Sequence, residues 1–200
     1  RYYPLVDRVR DFIAKPVVAT AHIMDNRWPD DYWAQDPVRG GGNVQSQGVH
    51  GMDLLCHLFD DVPATIYAEG GRLTHDTGDV VDTIVTTIRF TRGGVASLTV
   101  SDAGWTPYSS KFSFQLADGH RTAHLHNRLR SAHLFDGRET SMWEDERELG
   151  MIRENEELVR ALQSGRAPMT TELEGRQATS MVLAAIESVR TGRPQHLTPH

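Results

Sequence analysis

Four side chains in one stretch of the sequence have the types and spacing to move a proton. The stretch is GGGNVQSQGVHGMDLLCHLFD, residues 40–60. At about 100° per residue, a helix would place Ser46, His50, Asp53 and His57 within a stripe about 60° wide. Val49, Met52, Leu54, Leu55, Cys56, Leu58 and Phe59 occupy most of the remaining circumference, as on a helix buried on nearly all sides. Polar groups on such a helix need partners, so the stripe must face a hydrogen-bonded network or a cleft. Two readings stand at this point. One is a core histidine satisfied by neighbouring backbone. The other is an imidazole, with an ordinary pKa of about 6.5, placed to accept a proton near neutral pH. A shared metal is disfavoured, because two helical turns separate His50 from His57 by about 10 Å along the axis. The HExxH spacing is absent.

The elements that must position this stripe are legible as periodicities. Residues 4–14 read as a helix with Leu5, Val9 and Phe12 on one side and Pro4 in its first turn. Residues 17–23 alternate as a strand, residues 25–42 form a loop rich in Trp, Pro, Asp and Gly, and a helix spans roughly 44–60. The middle of the chain is strands. Ile84, Ile88 and Phe90 share one face; so do Ala96, Leu98 and Val100 after the Gly93-Gly94 turn, and Phe112, Phe114 and Leu116 after that. Asp118-Gly119 marks a hairpin into Ala123 and Leu125, and residues 131–136 make a further strand. Helices over about 150–164 and 174–191 close the chain, each followed by a glycine.

Sequential strands with short turns predict a mostly antiparallel sheet. The fold class is therefore α+β in two layers, a single domain over residues 1–200 with helices packed on one sheet face. The other face, built from Thr, Ser, Val, Gln and His, is either solvated or packed on a second copy. We expect a homodimer of twice 22.4 kDa.

Bulk properties narrow the function. A net charge of −6 argues against nucleic-acid and anionic-membrane binding, and no apolar run reaches the roughly 20 residues of a membrane span. The single cysteine, Cys56, suits a reducing compartment, so a cytoplasmic location is expected. The sequence contains no GxGxxG after a strand and no Walker-type loop, and Gly40-Gly41-Gly42 follows no convincing βαβ strand. The chain opens at Arg1 almost directly into a helix, which reads as a piece of something longer.

Other chemistry-bearing residues have two readings each. Trp28, Tyr32 and Trp33 could stack on the apolar face of a sugar or pin their loop to the core. Asp30, Asp31 and Asp36 read as solvated, as does the charged stretch from Glu144 to Glu157. His120, His124 and His126 lie on one side of a predicted strand; i, i+2 spacing can chelate, but no carboxylate or cysteine accompanies them there. They read as exposed or dimer-facing, and no metal is assigned.

Ser46 to Leu55, S-Q-G-V-H-G-M-D-L-L, resembles the substrate-domain signature of the glucose–fructose oxidoreductase / inositol dehydrogenase family (Gfo/Idh/MocA). There, a glycine pair or triplet precedes a helix patterned D-x-G-x-H-x-x-D-L-L. The likeness extends along all 200 residues. Arg1-Tyr2-Tyr3-Pro4 resembles the R-x-x-P that opens this domain, Trp28 to Gly42 resembles the loop ahead of the signature, and ESVRTGRPQHL resembles the closing E-S-x-x-x-G-x-x-x-x-L.

The resemblance implies the C-terminal half of an NAD- or NADP-dependent dehydrogenase acting on a sugar, polyol or cyclitol hydroxyl, with the dinucleotide bound mainly by an N-terminal domain absent from this chain. His50 matches the family's general base. Ser46 stands where many members carry Asp, so it offers a hydrogen bond but no charge; Asp53, one turn on, could compensate, or simply bond an arginine or an amide. Trp28, Tyr32, Trp33 and His57 are the candidate substrate contacts. The family's usual lysine comes from an E-K-P motif; none exists here, and Lys15 and Lys111, the only lysines, are not assigned that role. Alone, the chain is expected to be inactive. The rival readings are a non-catalytic sugar-binding or sheet-mediated dimerisation module and, more distantly, a metal-dependent hydrolase or isomerase.

Overall fold

The structure is a computed structural model that describes residues 1–76, 78–105, 108, 110–147 and 150–198. The chain runs α1 (Pro4–Phe12), β1 (Val18–Asn26), a short 3-10 turn (Trp33–Gln35), α2 (Gly42–Phe59), β2 (Pro63–Gly71), β3 (Thr83–Phe90) and β4 (Val95–Gly104). It continues through β5 (Phe112–Ala117), β6 (Thr122–His126), β7 (Ser131–Phe135), β8 (Thr140–Glu144), α3 (Gly150–Ser164), α4 (Glu172–Thr191) and β9 (Gln195–His196). Nine strands form one sheet in the order β8-β7-β6-β5-β1-β4-β3-β2-β9. The predicted two-layer, mostly antiparallel α+β architecture is the one observed.

The period-2 pattern decides which side is covered. Ala19, Ala21 and Ile23, then Ala96, Leu98 and Val100, then Phe114 and Leu116 are all buried, and they form one core with α2 and α4. Their alternates, such as Thr20, Thr87 and Val85, point to the uncovered face, where Val85 is 52% exposed. Thr86 sits inside the core face but donates to the Leu98 carbonyl at 3.0 Å, so its hydroxyl is satisfied.

Two glycines let α2 lie between sheet and helix. A Cβ on Gly51 would come within 2.8 Å of Leu98 and 2.9 Å of Ile23, so the backbone of α2 rests directly on β1 and β4. At the helix entrance Gly42 has φ +87°, and a Cβ there would meet the Val80 side chain at 2.9 Å. The glycine triplet thus turns the chain tightly into α2 with protein atoms, not open space, against it. α4 is framed by the Thr171/Glu174 capping box and ends at Gly192 in the left-handed region.

The structure differs from the sequence expectation in three respects. β1 joins β4 in parallel while pairing β5 antiparallel on its other edge, the only parallel pairing among the described residues. Strands β2, β8 and β9 were not predicted. β8 is exposed along its whole length, so it carries no alternation to read. α3 forms where expected, yet Ile152, Leu158, Val159 and Leu162 remain exposed, and only Gly150 and Ala161 are buried. The helix is tied to the chain's beginning by Arg153, which donates to the Tyr2 carbonyl at 2.9 Å and pairs with Asp7. Of the charged stretch ahead of it, residues 148 and 149 lie outside the described residues.

Candidate active site

α2 aims its polar stripe out of the layer interface, and His50 emerges at the surface of the helix, exposed and making no hydrogen bond to another described residue. It lines an open cleft of about 450 Å³ together with Gln47, Asp53, Lys111, Tyr2 and Glu154. Withdrawal of water from the ring lowers the His50 pKa below its ordinary value; Asp53 opposes this and the positive charge of Lys111 adds to it. The imidazole is therefore neutral at pH 7, with a free lone pair facing the cleft, as a proton acceptor requires.

Asp53 is held by Arg1. The guanidinium Nε donates to Oδ2 at 2.7 Å and an Nη2 donates to Oδ1, a fork-on-fork pair. Both members are largely shielded, with 9% and 23% of their side-chain surface exposed. Asp53 thus binds an arginine, and its negative charge still reaches His50 one helical turn away. Ser46 is not hydrogen-bonded to His50; its Oγ accepts from Gln47 Nε2 at 3.3 Å.

Lys111 is the residue the sequence reading passed over. It immediately precedes β5, 61 positions after His50 in the sequence, and its Nζ donates to Asp25 Oδ2 at 2.7 Å on the far end of β1. Trp28 Nε1 also donates to that oxygen, at 3.3 Å. The antiparallel β1–β5 pairing carries the two segments together, Ile23 lying opposite Phe112. A long-range register of that kind leaves no local signal; the only cue available was that lysine is rare in this chain.

The other predicted residues fall elsewhere. His57 is buried in a neighbouring pocket of about 250 Å³ between α2 and α4, alongside Asp53, Cys56 and Asp60. Its Nε2 has no hydrogen-bond partner among the described residues, and burial, with Arg10 and Arg1 nearby, pushes its pKa down to about 4. Cys56 is buried as well, which pushes its thiol up to about 12, out of reach of nucleophilic chemistry. Trp28, Tyr32 and Trp33 form their own cluster, with ring centroids 5.3 Å and 5.7 Å apart. They do not line the His50 cleft; Trp28 connects to it through Asp25 and Lys111.

What fixes the aromatic loop is a buried network invisible at the level of sequence. His75 Nδ1 lies 2.7 Å from Asp30 Oδ1, and its Nε2 lies 2.6 Å from Asp102 Oδ2 and 2.7 Å from Gln35 Nε2. Asp102 also accepts the Trp28 amide at 3.1 Å. His75 and Asp102 have side chains 2% and 0% exposed. Burial alone would lower the His75 pKa, but the hydrogen bonds to Asp30 and Asp102 overcome it, and the ring is held above its ordinary value. Asp30, read as solvated from sequence, is half-exposed but bound to both His75 and Arg27.

The open, mostly antiparallel sheet with helices packed on one face has the fold of oxidoreductase C-terminal domains. The chain belongs to the Gfo/Idh/MocA family: the family model described as the GFO/IDH/MocA C-terminal domain matches residues 10–120. Among solved structures, an oxidoreductase domain protein from Kribbella flavida is similar with a TM-score of 0.86 at 16% identity, covering 99% of this chain and 64% of that one. The aldose–aldose oxidoreductase from Caulobacter crescentus, complexed with glycerol, has a TM-score of 0.83 at 15% identity, covering 96% and 59%. An oxidoreductase from Agrobacterium radiobacter in complex with NAD+, L-tartaric acid and magnesium has a TM-score of 0.78 at 16% identity, covering 98% and 62%. The chain spans about three fifths of the length of these proteins. No curated protein matches the sequence. No helix among the described residues is long and apolar enough to cross a membrane.

Proposed function

We propose that this chain is the substrate-binding half of an NAD- or NADP-dependent dehydrogenase acting on a secondary hydroxyl of a sugar, polyol or cyclitol. The observation that carries the proposal is His50: held below its ordinary pKa, without a hydrogen-bond partner among the described residues, and facing an open cleft that also holds a lysine. The nicotinamide, when bound, supplies the acceptor for a hydride. The sequence carries no GxGxxG after a strand, so its dinucleotide is assigned to a separate nucleotide-binding domain.

The chain's own contribution is to the proton. His50 takes the hydroxyl proton while the carbon-bound hydrogen departs with its electron pair, and a carbonyl is left. Lys111, fixed by Asp25, donates a hydrogen bond to the same oxygen and limits the charge that builds there. The Asp53–Arg1 pair stabilises the imidazolium once it forms. Ser46 acts at most through Gln47. Tyr32 and Trp33, 41% and 52% exposed, would meet a substrate that extends beyond the cleft, with Trp28 as their support; His57 would act only through the neighbouring pocket.

The open sheet face is assigned to a homodimer, supported by the exposed Val18, Val85 and Val95 on a Thr- and Ser-rich surface. A solution mass near twice 22.4 kDa is expected, and a clean monomer at high concentration would remove that part of the reading.

The test joins the chain to a nucleotide-binding half and screens sugars, polyols and cyclitols with NAD+ and NADP+. Activity that vanishes with His50→Ala supports the proposal; activity that survives removes His50 from its role. The chain alone is expected to bind neither dinucleotide at micromolar concentration, and tight binding would relocate the cofactor site.

A further inference from the structure

The uncovered sheet face carries a cluster of imidazoles that do not line the cleft. His124 and His126 project from β6, and His133 stands directly opposite His124 on β7. Ring centroids are 4.6 Å apart for His124 and His126, 4.8 Å for His126 and His133, and 6.3 Å for His124 and His133. One ring nitrogen from each lies within 4.8 Å of those from the other two. From the sequence of one strand, only an i, i+2 pair is visible; the third ligand comes from the neighbouring strand through register. His120, the other histidine of the local pattern, stays out in the exposed turn before β6.

We propose that His124, His126 and His133 form a binding site for one late first-row divalent cation of the zinc type. Three observations converge on it. First, the separation is close to what coordination needs: with Zn–N bonds of about 2.0–2.1 Å, tetrahedral ligand nitrogens stand about 3.4 Å apart, a gap closed by small side-chain rotations. Second, His126 has a ring nitrogen, Nε2, that is buried and has no hydrogen-bond partner among the described residues. A buried lone pair without a partner is costly unless something binds it.

Third, the surroundings match an outer coordination shell. Ser113 Oγ lies 2.9 Å from His124 Nε2, which fixes that ring and leaves its other nitrogen for metal. Ser131 lies opposite His126 on one side and Glu144 on the other, and the Glu144 carboxylate accepts from Ser131 Oγ at 2.6 Å. It supplies the negative charge the strand-local pattern lacked. Neutral imidazole suits zinc, copper and nickel over calcium or magnesium. Three protein ligands leave a fourth position for water.

The site is contained in one chain, so its stoichiometry is independent of any dimer. Zinc chloride titrated by calorimetry into the tag-free, EDTA-stripped chain is expected to saturate at one ion per chain with micromolar or tighter affinity. His126→Gln and His133→Gln should each weaken binding by more than about tenfold, since losing even an outer-shell partner has that effect; His120→Gln should leave it unchanged. A measurement on the unaltered chain guards against misfolded variants: one equivalent of zinc should shift the NMR resonances of the His124, His126 and His133 rings and no others. Absence of saturable uptake, affinity indifferent to both substitutions, or shifts confined to other histidines would overturn the proposal.

Discussion

His50 and His75 are two histidines in the same domain placed under opposite rules. His50 stands on α2 at an open cleft, has no hydrogen-bond partner among the described residues, and is held below its ordinary pKa. His75 is enclosed, bonded through both ring nitrogens to carboxylates, and held above it. The first arrangement keeps a proton-accepting lone pair ready at the expense of any stabilising contact. The second uses the proton as a structural part, bridging Asp30 to Asp102 and so fixing the loop that carries Trp28, Tyr32 and Trp33. A side chain that is spent on holding the fold has no valence left for chemistry, and the contrast can be tested residue by residue.

The largest effect is expected from His50→Ala in the chain joined to its nucleotide-binding half. Loss of a general base lowers kcat/KM by roughly 10²–10⁴. The melting temperature should hardly move, because surface substitutions of this kind stay within about 0.5 kcal/mol. A large fall in stability with retained activity would invert the comparison. His75→Ala should do the reverse, destabilising by about 3–5 kcal/mol in urea unfolding because Asp102 is left charged and unpaired inside the protein.

Lys111→Met is expected to lower kcat by about 10², the scale of removing one donor from a developing oxyanion, with KM changed less. It should also loosen the Trp28 ring by freeing Asp25, seen as a change in tryptophan fluorescence. If kcat is unaffected, Lys111 is an ion-pair partner and no more.

The smallest and most discriminating test is pH. His75 is raised in the folded state, so its contribution to stability is complete below the unfolded value of about 6.5 and is lost as pH rises through its higher folded value. The stability gap between the native protein and His75→Gln should narrow on going alkaline. His50 is lowered, so kcat/KM should fall on the acid side, as pH drops through a value below 6.5. One histidine should therefore fail upward and the other downward; two limbs in the same direction would dissolve the distinction.

How much of this the sequence disclosed depends on whether the signal was local. The α2 stripe was legible because it is written within eighteen consecutive residues and one helical period, and the covered faces of β3, β4 and β5 because they alternate. Lys111 and Asp25 meet only through the β1–β5 register, and His133 joins its partners only through β6–β7. The His75 network draws on residues 30, 35, 75 and 102, four segments with no shared period. β2 was missed because its buried positions, Pro63, Ile66 and Ala68, follow no strict alternation and run into two glycines. α3 was readable as a helix, but a periodic pattern says only that one side is apolar, not that anything in this chain covers it.

The place of β1 in the sheet has a consequence for how the molecule comes into being. It alone joins the ladder β4-β3-β2-β9 to the ladder β5-β6-β7-β8, since β4 and β5 do not pair with each other. Each ladder is largely a sequence-local meander that can zip up quickly, whereas uniting them requires contacts across roughly seventy to a hundred positions, the kind of closure that slows assembly. A strand that precedes both of its neighbours along the chain must wait, uncommitted, for each to arrive, and its insertion is the event that turns two half-sheets into one.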